Sequence, residues 1–157
     1  EGIAAFKILP DGDLEKINQA SIRGMRGCFI ELYEEKGFLF VAGYHDGKMT
    51  VLRLREDGGV GEITDGFYDK GMGSVAERTT TPHISCVRMT PDKQYVCVVD
   101  LGIDQMKILR LHPELGKLKL VDILRCELNS APRNVMFTHD GRFMYMISEL
   151  KNEIWGS

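Results

Sequence analysis

The sequence predicts an all-β protein of repeated four-stranded antiparallel units, and three observations carry this reading. The chain of 157 residues holds 17 glycines. No helix-length stretch is free of Gly, Pro or β-branched residues, which favours short strands and turns. Two segments, Phe38–Ala42 and Tyr95–Val99, are almost wholly apolar, as strands covered on both faces are. The sequence also repeats itself. Gln94–Leu111 lies over Gly37–Leu54 at an offset of 57, with Val98 on Val41, Met106 on Met49 and Arg110 on Arg53. Thr138–Ile154 lies over Thr90–Met106 at an offset of 48, and Met49–Gly58 over Ile3–Gly12 at 46. Extra sequence within Gly66–Pro82 accounts for the long period.

Each repeat reads as four strands. In the best-defined one, Ile84–Thr90 runs into Pro91-Asp92, which preset a turn, and the chain returns as Tyr95–Asp100. A turn at Gly102–Asp104 leads to Gln105–Leu111, and a Gly-containing turn leads to Leu118–Arg125. A period near 45 residues with four strands per unit is the signature of β-propeller blades. A β-sandwich of hairpins would show similar strands but not three concordant offsets. The expected organisation is a partial propeller over residues 1–157. Residues 1–22 form the outer strands of one blade, 23–66 a blade, 67–82 an insertion loop and 83–128 a second blade. Residues 129–154 form the inner strands of a further blade, and 155–157 an added tail. This makes about three blade equivalents of a larger propeller. Glu1 at the start and Trp155-Gly156-Ser157 at the end make both ends look cut, so the chain reads as a fragment of a longer protein. Open blade faces and unpaired edges invite association. The expected partner is therefore a second copy, whose Gly2–Ile22 would complete the last blade and close a six-bladed ring.

Composition narrows the function. Apolar residues make up 43% and charged residues 27%, and the net charge is −3. A net acidic chain without a Lys/Arg block is a poor nucleic-acid binder. No apolar run reaches the ~18 residues that span a bilayer, so no membrane partner is expected. Cys28, Cys86, Cys97 and Cys126 form no C-x-x-C pair and each sits in an apolar run. They read as reduced core residues of a cytoplasmic protein, and their spacing offers no metal site. The Gly71–Gly73 segment opens no helix, so a phosphate-cradling loop is not expected.

Propellers place functional groups near the central channel, where the residues entering a first strand and leaving a second reach one face. His83 opens the first strand of its blade, and Arg133 does so one blade later. Glu149 ends the second strand of Arg133's blade, 16 residues or about one hairpin away, so both can point to the same mouth. An ion pair tying the two strands together is the alternative role for that pair. Arg78 lies in the insertion near His83, which makes it a candidate lining residue. Asp46, Asp100 and Asp104 lie at equivalent turns, where turn capping competes with a place in the site.

Ser74–Asp104 (SVAERTTTPHISCVRMTPDKQYVCVVDLGID) and Ala131–Glu149 (APRNVMFTHDGRFMYMISE) carry Pro-His, Asp-Leu-Gly-x-Asp, Pro-Arg and Glu-Leu signatures in order. In these the chain resembles the seven-bladed lactonase family, which includes the propeller type of 6-phosphogluconolactonase and the fungal carboxymuconate-lactonizing enzymes. The resemblance runs from residues 2–12 to 149–154 and covers a little under half of such a protein. It implies a catalytic site of His83, Arg133 and Glu149; by their positions in the chain, Arg78, Asp100 and Asn134 are further substrate-binding candidates. It also implies a small sugar lactone as substrate, foremost 6-phosphoglucono-δ-lactone, and no cofactor. In that scheme Glu149 is the base on water, Arg133 stabilises the oxyanion or clamps a phosphate, and His83 shuttles the proton or binds the lactone oxygen. Two departures stand out. Ser85 and Asn134 occupy places where the family commonly has His. A muconate-type lactonizing cycloisomerase and a non-catalytic binding platform are the alternatives, since fold does not set function.

Overall fold

The computed structural model describes residues 2–71, 81–151 and 154–156. Its strands form four antiparallel sheets, each built of consecutive strands. The first pairs β1 (Gly2–Ile8) with β2 (Leu14–Ser21). The second runs through β3 (Gly27–Tyr33), β4 (Phe38–Gly43), β5 (Lys48–Leu54) and β6 (Val60–Tyr68). The third runs through β7 (Ile84–Met89), β8 (Val96–Asp100), β9 (Gln105–His112) and β10 (Lys117–Arg125). The last contains β11 (Pro132–Phe137), β12 (Met144–Ser148) and β13 (Ile154–Gly156). Among the described residues no helix is long and apolar enough to cross a membrane.

The sheets stack face to face, and this explains the unbroken apolar strands. Along β4, Phe38, Phe40 and Ala42 point into a core shared with Ile84, Val87, Val96 and Val98 of the next sheet. Leu39 and Val41 point the other way, onto Ile3, Ala5 and Ala20 of β1 and β2. The same division holds in β8. Val96 and Val98 face the second sheet, whereas Cys97 and Val99 meet Val135 and Met146 of the fourth. Period-two alternation is intact, but both faces are covered. The inner strands β3, β7 and β11 lie side by side in that order.

The turns repeat with the strands. Thr90 Oγ1 donates to Asp92 Oδ1 at 2.6 Å, and Thr138 Oγ1 donates to Asp140 Oδ1 at 2.6 Å, 48 residues on. Each carboxylate also accepts a backbone N–H two residues later. These hydrogen bonds hold both carboxyls below their ordinary range.

Two boundaries differ from the expected ones. Strand β6 extends to Tyr68, two residues into the stretch assigned to the insertion, because Phe67 and Tyr68 pair with Met49 and Lys48 and Phe67 packs on the core. Trp155 and Gly156 are not a tail. They pair with Met146 and Tyr145, and Trp155 joins the core between the last two sheets. Arg78 lies outside the described residues.

Candidate active site

The site arises from one irregularity made three times. At the start of β3 the ladder pairs Gly27 with Gly43 and then Phe29 with Ala42, leaving Cys28 as the extra residue of a bulge. At the start of β7, Ile84 pairs with Asp100 and Cys86 with Val99, leaving Ser85. At the start of β11, Pro132 pairs with Ser148 and Asn134 with Ile147, leaving Arg133. The three bulged residues are spaced 57 and 48 apart, the offsets of the repeat. A bulge bends its strand and re-aims a side chain. Here all three residues turn to one cavity of about 490 Å³ that crosses the three blades.

Hydrogen bonds lock the bulges to one another. Ser85 Oγ donates to the Arg133 carbonyl at 2.7 Å. The Cys28 thiol donates to the Ile84 carbonyl at 3.4 Å. Burial of the sulfur atom pushes that thiol up, with the Tyr44 backbone hydrogen bond and the Arg133 charge opposing, so Cys28 is a neutral donor rather than a thiolate. Cys28 is exposed at the cavity wall, unlike the buried Cys86 and Cys97, which corrects the expectation of four core cysteines.

Arg133 and Glu149 meet as the hairpin spacing suggests. Arg133 Nη1 lies 2.5 Å from Glu149 Oε2, and the side chains are 49% and 20% exposed. The pair is therefore within reach of solvent and of a ligand. Asn134 also lines the cavity.

His83 stands one layer back. Its ring stacks on Tyr44 with centroids 4.5 Å apart and planes at 15°, and Tyr44 lines the cavity. His83 Nδ1 is 2.7 Å from the Tyr44 carbonyl. A carbonyl only accepts, so Nδ1 carries a proton and donates to it, and Nε2 lies 3.3 Å from Thr81 Oγ1. His83 thus orients the Tyr44 wall.

Asp100 does not line the cavity. It is 1% exposed, and its Oδ1 accepts the N–H groups of His83 at 2.8 Å and Gly102 at 2.9 Å. It positions the His83 segment instead of touching a ligand. Burial pushes its carboxyl up to about 7, the two N–H groups oppose this, and the neighbouring Asp69 carboxylate adds to it. Lys107 pairs with Asp69 Oδ1. Asp104 and Asp46 are clasps of the same sort. Asp104 accepts from Asn129 and Ala131 ahead of β11, and Asp46 accepts from Met25 ahead of β3.

The raised Asp100 carboxyl has a measurable consequence. An unfolded Asp titrates near 3.9, so between about pH 4 and 7 the folded chain holds the extra proton. Stability therefore falls as pH rises through that window and levels off above it. Asp100→Asn keeps an oxygen for the two N–H groups, so urea unfolding across pH 4–8 is expected to lose this downward slope. An unchanged slope in the variant would assign it to another group.

Arg26, Cys28, Tyr44 and His45 line the cavity but were not singled out from the sequence. The repeat held the signal for two of them. Counting back 57 from Ser85 and His83 reaches Cys28 and Arg26.

Stacked antiparallel blades, with a polar cavity across their inner strand starts, define part of a β-propeller. A family model described as "Lactonase, 7-bladed beta-propeller" matches residues 1–156, and the chain belongs to that family. It is 30% identical over 154 residues to a 6-phosphogluconolactonase of Bacillus subtilis, an alignment covering 98% of this chain and 43% of that protein. Among solved structures it matches a Bacteroides fragilis protein provisionally assigned as a 6-phosphogluconolactonase, with a TM-score of 0.90, 29% identity and coverage of 99% and 46%. It also matches a Pseudomonas aeruginosa periplasmic gluconolactonase with a TM-score of 0.89, 27% identity and coverage of 98% and 44%. The chain thus spans less than half the length of these relatives.

Proposed function

We propose that this chain supplies the catalytic wall of a lactone hydrolase, with 6-phosphoglucono-δ-lactone as the foremost substrate. The observation that carries the reading is Arg133, set by a bulge at the wall of the shared cavity and paired there with Glu149 from the end of the neighbouring strand. Hydrolysis needs a base for water and a cation for the oxyanion, and these two side chains are of the right kinds. Glu149 takes a proton as water adds to the lactone carbonyl. Arg133 stabilises the tetrahedral oxyanion. The ring C–O bond then breaks, and Glu149 returns the proton to the departing ring oxygen, giving the open hydroxy acid. His83 stacks on Tyr44 and is not among the residues that line the cavity, so it acts through Tyr44.

The test is acid release from 6-phosphoglucono-δ-lactone and glucono-δ-lactone, above the spontaneous rate. It is run on the chain and on a polypeptide of full family length that contains it. Turnover of either lactone by the longer polypeptide is the expected result. No turnover of either, in a folded sample, would defeat the reading.

A further inference from the structure

The stack of sheets carries an exposed apolar face at each end. On β3, Ile30 pairs with Val41 and Leu32 with Leu39, so all four lie on one side of the second sheet, the side that meets the first. Strands β1 and β2 cover Leu39 and Val41, whereas Ile30 and Leu32 are 57% and 45% exposed. The residues 57 positions later, Val87 and Met89, are 0% and 5% exposed, in the core between the second and third sheets. At the other end, Tyr145, Ile147 and Ile154 are exposed on the side of the last sheet opposite the buried Met146. The residues 48 positions before them, Cys97, Val99 and Met106, are buried against that last sheet. Another 57 positions back stand Phe40, Ala42 and Met49, which share one core with Val87 and Met89.

These equivalences identify what fits each face. Within the chain, Val87 and Met89 of the third sheet meet Phe40, Ala42 and Met49 of the second. Ile30 and Leu32 repeat the first set, and Tyr145, Ile147 and Ile154 repeat the second. The leading face of one copy is thus the natural partner of the trailing face of another. The strands agree with the faces. By the repeat, β1 and β2 correspond to β5 and β6, the outer pair of a four-stranded sheet, and β11 and β12 to β7 and β8, the inner pair. Among the described strands β1 pairs with β2 alone, which leaves its other edge open to a strand from outside. Strand β1 has seven residues, whereas β13, on the outer edge of β12, has three.

We propose that two copies of this chain close head to tail into a six-bladed ring. Ile30 and Leu32 of each copy pack on Tyr145 and Ile147 of the other, and the long β1 of each takes the edge of β12 that the short β13 holds in the single chain. Each copy supplies two four-stranded sheets, and the two mixed blades bring the ring to six, within the range of propellers. The two joints are identical, so the ring closes with two-fold symmetry and growth stops at two copies.

Light scattering after size exclusion, on the 157-residue chain at micromolar concentration, tests this. The expected mass is twice the 17.7 kDa of one chain. Ile30→Asp and Ile147→Asp, on opposite faces and both exposed in the single chain, should each weaken dimerisation at least about thirtyfold, the scale of losing one interface anchor. Leu115→Asp, at an exposed turn away from both faces, should leave the dimer intact. Far-ultraviolet circular dichroism and melting curves confirm that each variant keeps its fold. A monomeric wild type would overturn the proposal. A mass that keeps rising with concentration would overturn ring closure, since it marks open head-to-tail growth. A dimer that survives either face variant, or is lost in Leu115→Asp, would overturn the pairing of these two faces.

Discussion

Glu149→Gln is expected to lower kcat/KM for lactone opening about 10²–10⁴-fold, the usual contribution of a positioned general base. Arg133→Ala should cost about 10²–10³-fold, as the loss of one preorganised oxyanion donor does. The physical basis is their pairing at 2.5 Å, with Arg133 on the cavity wall. The amide of Gln preserves the shape and an acceptor for Arg133 but takes no proton from water. Because the two act as a unit, the double variant should be little worse than the poorer single one. Neither change should move the thermal midpoint much, since a half-exposed ion pair contributes at most about 1 kcal/mol. Steady-state kinetics in the full-length family context, beside melting curves, decide the matter. Glu149→Gln with kcat/KM near wild type would remove Glu149 as the base. A large fall in midpoint would instead mark the pair as a strand tie.

Gly102→Ala is expected to be the most damaging small substitution in the chain. A Cβ at this position would lie 1.8 Å from the Thr81 carbonyl oxygen and 2.8 Å from the His83 nitrogen. Backbone, not a flexible side chain, is in the way. The segment cannot easily retreat, because Leu101 N–H donates to the His83 carbonyl at 3.1 Å and both His83 and Gly102 donate to Asp100. Overpacking of this kind costs about 3 kcal/mol or more. The exposed Gly12, at φ 92 and with open space around it, is the comparison. Gly12→Ala should cost only about 1 kcal/mol, from the left-handed backbone alone. Urea unfolding of the two variants measures both. Equal costs would show that the Thr81–His83 segment yields. The Gly102 change should also displace His83 and with it the Tyr44 wall, so weakened ligand binding is expected alongside lost stability.

These two cases show how differently parts of the molecule can be read from sequence. The strands were legible because their pattern is local. Phe38–Ala42 and Tyr95–Val99 announce burial on both faces, and Pro91-Asp92 and Asp140-Gly141 announce turns. The Arg133–Glu149 pair was legible because a hairpin of known length sets two residues side by side. The end of β6 and the continuation of β13 past Ile154 were missed for the opposite reason. Tyr68 is half exposed, and Ile154–Gly156 is only three residues long. Neither has a pattern of its own, and pairing with Lys48 and with Met146 makes each of them strand.

Among the site candidates, chemistry alone could not separate ligand contacts from supports. Asp100 and Asp104 read as potential site carboxylates, yet their backbone hydrogen bonds turn both into clasps, buried from solvent. His83 sits at the expected strand entry, but its partner is a ring 39 positions earlier in the chain, Tyr44. The sequence by itself determined the repeat, the strands and the positions where each blade meets the channel, because hydrophobic alternation and turn chemistry act over a few residues. Only the tertiary structure decided which side chains enter the cavity. A bulge moves one residue per blade out of the ladder, and only the stacking of three blades brings Arg26, Cys28, Ser85 and Arg133 around one space.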